Sequence, residues 1–158
     1  MLSALIPHPR NAFDLAVSLH DLVGGAVDGI VREAIVVGAE DGEVADVAEH
    51  AGCRLASEAE FLHPGFSIRG EWLLTVHPGE RLPAGWIEAL ARHMGQVGAG
   101  AAGRLPSVTR HPSWQFWKPR RTAAWLVPTG AAFAHMRKVR RVEASGAGLP
   151  VRRLRVEN

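Results

Sequence analysis

The stretch Gly70–Trp86, GEWLLTVHPGERLPAGW, constrains the fold more than any other part of the chain. Trp72–Val76 is a mostly apolar run of strand length. A polar elbow follows it, built from His77, Pro78, Gly79 and Glu80. Leu82-Pro83 then opens a helix expected over Pro83–Met94, with Trp86, Ile87, Leu90 and Met94 on a common side. A buried strand that turns directly into a helix is the repeating unit of an open parallel sheet, and such sheets bind ligands beyond the carboxyl ends of their strands. The elbow is therefore a natural place for a site.

The preceding residues repeat the same unit. Leu2–Ile6 is a short apolar run stopped by Pro7, and Ala12–Val23 carries apolar residues at helical spacing up to Gly24-Gly25, an expected helix end. Ala34–Val37 supplies a second, β-branched run, and Gly38–Gly42 a turn. Glu43–Ala51 reads as a helix closed by Gly52, and Cys53–Ala56 as a third strand. Strand and helix alternating in this way predict right-handed crossovers and a mostly parallel sheet. Beyond Gly95 the pattern loosens into a glycine- and alanine-rich connection. A weak strand is expected within Ala99–Leu105 and a clearer one over Ala123–Pro128, while the tail beyond Met136 reads equally as strand, helix or coil. No repeat or second-domain boundary interrupts residues 1–158, which are read as one domain.

Nearly half of the 158 residues are apolar, enough for one sizeable core and a folded, soluble protein. No apolar run reaches the roughly 20 residues of a membrane span. The opening MLSALIPHPRN lacks the pattern of a secretory leader. The single cysteine, Cys53, rules out an intrachain disulfide and fits a reducing cytoplasm, with a buried structural thiol as its expected role. Charge is divided unevenly. Residues up to Trp117 hold 8 Lys/Arg against 14 Asp/Glu, a net of −6, whereas those from Lys118 hold 10 against 2, a net of +8. A basic C-terminal part favours an anionic partner, or is simply a solvated tail. Trp114, Phe116 and Trp117 beside Lys118, Arg120 and Arg121 suit a membrane interface, a nucleic-acid stacking surface or a lid over the sheet edge. No recognisable RNA- or DNA-binding motif accompanies them, so a nucleic-acid role is the least favoured.

The order and spacing of SALIPHPRN, VREAIVV, the helix ending in AGCR, and GEWLL…LPAGW resemble the nucleotide-binding half of family 2 glycosyltransferases over about the first 95 residues. The resemblance implies a reduced GT-A, Rossmann-like three-layer α/β domain. Residues 1–95 would form the nucleotide-binding half and 96–158 a divergent basic part. It also implies a nucleotide-sugar donor, a divalent cation such as Mg²⁺ or Mn²⁺ to neutralise the diphosphate, and sugar transfer to an envelope polysaccharide or lipid-linked acceptor. A cytoplasmic protein, peripheral at the inner membrane through its basic part, follows from the same likeness.

Several positions depart from that family's pattern. Gly38 follows the second strand where an aspartate is usual, and Gly79 stands where the metal-binding turn commonly carries one. Only SEAEFLHPGFSIRG separates the third and fourth strands, and the last third of the chain has no evident acidic base. Donor contacts are therefore expected from His8, Arg10, Gly38 and Asp41, with Arg10 on a phosphate through its guanidinium fork. Metal contacts are expected from His77 and Glu80, since imidazole and carboxylate both ligate transition metals. Each has a plainer alternative: Arg10 as an exposed loop arginine, Asp41 as an ordinary Asp-Gly turn, His77 as a loop hydrogen-bonder, Glu80 as a solvated or helix-capping residue. A catalytically inactive scaffold that binds a protein or membrane partner is the alternative for the whole chain.

Overall fold

The computed structural model describes residues 1–39, 42–97, 100–108, 121–142 and 146–156. Asp41 and the aromatic cluster Trp114–Trp117, with Lys118 and Arg120, lie outside the described residues. The strands are β1 (Leu2–Pro7), β2 (Val31–Val37), β3 (Arg54–Ala56), β4 (Trp72–Val76), β5 (Ala102–Pro106), β6 (Thr122–Pro128) and β7 (Val151–Arg153). The helices are α1 (Ala12–Val27), α2 (Gly42–His50), α3 (Glu58–Leu62), α4 (Trp86–Val97) and α5 (Thr129–Val139). The seven strands form one sheet in the order β3-β2-β1-β4-β6-β5-β7. Strands β1 to β4 are mutually parallel, β6 runs against both β4 and β5, and β7 is parallel to β5. The expected α/β, three-layer architecture with a mostly parallel sheet is what forms.

Period-two alternation in the central strands builds the two faces. Leu2, Ala4 and Ile6 of β1 join Leu74 and Val76 of β4 beneath α1, α2 and α4, whose Leu15, Leu22, Val44, Ala48, Trp86 and Leu90 fill that layer. Leu5, Ile35 and Leu73 point the other way, against Phe61 of α3 and Ala132, Phe133 and Met136 of α5. There Phe61, fully buried, lies 5.0 Å from the Phe66 ring centroid and 5.1 Å from that of Phe133. Strands sealed on both sides read as continuous apolar runs, which is why β1 and β4 stood out in the sequence.

Four helices differ from expectation. Helix α1 runs through Gly24-Gly25 to Val27 instead of stopping at Val23. Gly25 is small for a packing reason, because a Cβ there would lie 2.6 Å from the Trp86 ring and 2.8 Å from Val31. Helix α4 begins at Trp86 and not at Pro83, because Gly85 takes a left-handed φ of 74° that breaks helical continuation. Helices α3 and α5 appear where no helix was anticipated. The first is opened by a capping box in which Ser57 Oγ accepts from Glu60 N and Glu60 accepts from Ser57 N.

The amino-terminal edge of the sheet is tied by a continuous polar network. Ser3 Oγ donates to Glu33 Oε1 (2.7 Å), which also accepts from Arg69 N (2.5 Å). Gly70 N donates to Ser3 Oγ (2.9 Å), and Thr129 Oγ1 donates to the Gly70 carbonyl (2.7 Å). Gly70 sits so close to β1 that a Cβ would approach Ser3 N to 2.3 Å. This edge fixes the entry of β1, β4 and α5 into the sheet.

Candidate functional site

At the opposite edge β1, β2, β3 and β4 all end and β6 begins, so their loops converge there. The loop after β1 turns at His8, whose φ of 46° is unusual for a residue with a side chain, and its N–H donates to the Val37 carbonyl (2.7 Å). Beside it Gly38, at φ 72°, donates to the Ala56 carbonyl (3.2 Å). The imidazole lies directly over Gly38, since a Cβ on that residue would stand 2.3 Å from His8 Nδ1. This explains the missing aspartate after the second strand: the space its side chain would need is filled by the His8 ring.

Next to this pair a cleft of about 350 Å³ opens between the ends of β1, β2 and β3 and the start of α3. His8, Gly38, Ala39, Leu55, Ser57 and Glu60 line it. Glu60 accepts from the Ser57 backbone N–H and from Ser57 Oγ, both at 2.8 Å, and these bonds hold its carboxyl below the ordinary glutamate range. Glu58, also on the rim, accepts from Val142 N (3.2 Å) and so joins α3 to the segment after α5. A cleft with an imidazole, a glycine backbone and carboxyl groups can receive a flat ring and accept hydrogen bonds from its N–H groups or from ribose hydroxyls.

The elbow after β4 is built differently. His77 N donates to the Ala123 carbonyl (2.8 Å), which continues the β4–β6 ladder, and Glu80 N returns to the His77 carbonyl (3.1 Å). Gly79, at φ 76°, donates to the Asp14 carbonyl and to Ser18 Oγ, each at 3.2 Å. A Cβ at Gly79 would lie 2.8 Å from Asp14 Oδ1. An aspartate at this position would therefore meet both a left-handed backbone and another carboxylate. Asp14 is itself fixed by Asn11, which caps α1 by accepting from Asp14 N (2.8 Å). Downstream, Arg81 grips Asp21 of α1 through Nε and Nη2 at 2.9 Å, and Leu82 N donates to the same carboxylate (2.7 Å).

Glu80 is neither a solvated residue nor a helix cap. It is 8% exposed, and its Oε1 accepts from Arg121 Nη1 at 3.1 Å, across from β4 to the start of β6. Among the described residues no three His, Cys, Asp or Glu side chains cluster to hold a metal ion. His77 is half-buried on the same turn, but the neighbouring carboxylate already faces a guanidinium, which a divalent cation would have to displace. Among the described residues the elbow brings no third His, Cys, Asp or Glu side chain to His77 and Glu80.

The structure thus brings His8 and Gly38 together in one cleft, with Arg10 exposed on the same loop, and places His77 and Glu80 on the elbow two strands away. Sequence reasoning missed Ser57, Glu60 and Asp14, and read Arg121 as part of an aromatic and basic cluster without linking it to the elbow. The Ser57-x-x-Glu60 spacing is a legible capping signature, whereas nothing local ties Asp14 or Arg121 to the elbow. Some of the basic C-terminal charge is used internally. Besides Arg121, Arg137 donates to the Leu62 and His63 carbonyls (3.1 and 3.0 Å) and lies over the Phe133 ring. Lys138, Arg140, Arg141, Arg152, Arg153 and Arg155 are exposed. Cys53 is partly buried against the α1–α2 layer, and burial raises its thiol pKa. No helix among the described residues is long and apolar enough to cross a membrane.

No protein-family model and no curated protein sequence matches the chain. Among solved structures, 4-diphosphocytidyl-2C-methyl-D-erythritol synthase is similar with a TM-score of 0.58 at 20% identity, over 98% of this chain and 88% of that one. Mannosyl-3-phosphoglycerate synthase from Rubrobacter xylanophilus matches 65% of this chain at 17% identity and a TM-score of 0.49. Glucosyl-3-phosphoglycerate synthase from Mycobacterium tuberculosis, in complex with Mn²⁺, UDP and glucosyl-3-phosphoglycerate, matches 66% at 16% identity and 0.49. The chain spans 38% and 43% of the lengths of those two synthases. At these identities the likeness is one of fold, of the GT-A, Rossmann-like kind.

Proposed function

We propose that this chain binds a nucleotide sugar, with the nucleoside seated in the cleft at His8, Gly38 and Ala39, as part of a glycosyltransferase-type activity. The observation that carries the reading is this cleft, at the carboxyl ends of parallel strands, where open α/β sheets take their ligands. Imidazole over glycine gives a flat apolar floor, and the Glu60 carboxylate gives an acceptor for ribose or base donors. Arg10, exposed on the β1–α1 loop, and Asp41, which follows β2, are the further donor contacts in this reading. The fold similarity to a nucleotide-derived synthase over nearly the whole chain agrees with a nucleotide ligand. The acceptor is proposed to be a polysaccharide or lipid-linked sugar at an anionic membrane surface, which the exposed Lys138, Arg140 and Arg141 would face.

A second reading is favoured by the elbow. With Gly79 pressed on Asp14 and Glu80 committed to Arg121, the chain would keep the scaffold and a ligand cleft without catalysing transfer. Calorimetric titration with UDP- and GDP-sugars tests the first reading. Binding abolished by Gly38→Val supports the cleft, and donor hydrolysis or transfer separates enzyme from scaffold. A folded wild-type protein that binds no nucleotide or nucleotide sugar contradicts it.

A further inference from the structure

We propose that Arg121, oriented by the buried carboxylate of Glu80, is a metal-free binding group for the diphosphate of a nucleotide ligand. The inference rests on the nucleotide reading of the cleft and assigns the anion-binding group that this reading leaves open. Three observations carry it.

The first is position. Arg121 opens β6 at the carboxyl edge, and Ser107 N donates to its carbonyl (2.8 Å), so its backbone is held by β5. In the sheet order β1 and β6 are separated only by β4. Two to three strand spacings of ~4.8 Å, roughly 10 to 14 Å, separate the start of β6 from the ends of β1 and β2, a span that a nucleoside diphosphate and an extended arginine side chain cover together. A base on His8 and Gly38 thus brings its phosphates over the elbow.

The second is the state of the side chain. Glu80 is buried, with its side chain 11% exposed, whereas that of Arg121 is 64% exposed. One guanidinium nitrogen of this largely exposed side chain bonds Glu80 Oε1, and the planar fork carries further N–H donors. A surface ion pair of this exposure adds little to stability, so its orienting effect matters more than its energy. A guanidinium held from behind by a carboxylate is preorganised for the bidentate geometry that phosphate oxygens offer.

The third is the chemistry of the elbow. Gly79 cannot carry a carboxylate toward the ligand, and Glu80 is turned to a cation that belongs to the protein. The pair is net neutral and Asp14 adds a negative charge nearby, so the effect is a modest, charge-assisted one.

The test compares nucleosides with their diphosphates (uridine with UDP, guanosine with GDP, cytidine with CDP) by calorimetry on the full chain in excess EDTA. The diphosphate is expected to bind about tenfold or more tightly than its nucleoside without metal. Arg121→Met should erase that difference and leave nucleoside affinity unchanged, and Arg121→Lys should restore part of it. Glu80→Gln should weaken diphosphate binding several-fold at constant nucleoside affinity, with far-UV circular dichroism and the melting temperature confirming a folded variant. If nucleosides bind but the diphosphate adds nothing in EDTA, or if its advantage survives Arg121→Met, the assignment to Arg121 is overturned while the cleft stands. If neither nucleosides nor diphosphates bind the folded protein, the nucleotide reading falls and the inference falls with it.

Discussion

The two edges of the sheet solve opposite problems with the same materials. At the amino-terminal edge Gly70 lets two backbones meet, and Ser3, Glu33 and Thr129 join Arg69 and Gly70 in one hydrogen-bond network. At the carboxyl edge Gly38 and Gly79 adopt left-handed conformations and His8 joins them, leaving a cleft on one side and a guanidinium facing water on the other. One edge is packed for stability and the other keeps polar groups accessible. Substitutions should separate the two.

The largest expected effect is at the packed edge. Gly70→Ala forces a methyl onto the Ser3 backbone and should cost about 3 kcal/mol of unfolding free energy in urea. Any nucleotide affinity of the remaining folded fraction should not change. Gly38→Ala should cost about 2 kcal/mol, from its positive φ and from displacing the His8 ring. Unlike Gly70→Ala, it should also impair nucleotide binding. Combining it with His8→Ala should recover part of the stability, which a double-mutant cycle would measure. Equal behaviour of the two glycine variants in binding would erase the distinction between the edges.

Arg137→Met removes two hydrogen bonds to the end of α3 and should cost about 1 kcal/mol, read from the urea midpoint, without touching the cleft. The smallest effect concerns Glu60. Hydrogen bonds from Ser57 lower its folded pKa, so its contribution is present above the unfolded value and is lost as pH falls through the folded one. The melting temperatures of wild type and Glu60→Gln should therefore differ at pH 7, and the difference should shrink as pH falls below the ordinary glutamate value of about 4.5. A difference that does not shrink with acidification would place the stabilising role of Glu60 elsewhere.

β1 and β4 were legible because each is buried on both faces and reads as an apolar run, and β2 and β3 because turns bound their short runs, although β3 is a half-exposed edge strand. Helices α3 and α5 were not. The first has five residues, too few for periodicity, and the second mixes Gly130 and His135 among its buried Ala132, Phe133 and Met136. In the site, His8, Gly38, His77 and Glu80 were found because a strand end is a place that sequence can locate. Their partners were hidden because they are remote: Asp14 meets Gly79, and Arg121 meets Glu80, across separations that only the sheet order closes. Gly38 and Gly79 looked like losses from a family pattern. In the structure each is the residue its neighbour requires.

The most direct test of the account is a ¹H–¹⁵N NMR titration of the chain with UDP and GDP and, in parallel, with uridine and guanosine. The account predicts amide shifts concentrated at His8, Gly38, Ala39 and Ser57, with Arg121 moving for the diphosphates and not for the nucleosides, and with Gly70 and Thr129 silent. Shifts centred on the amino-terminal edge, or none at millimolar nucleotide, would contradict a ligand cleft at the carboxyl ends of the strands.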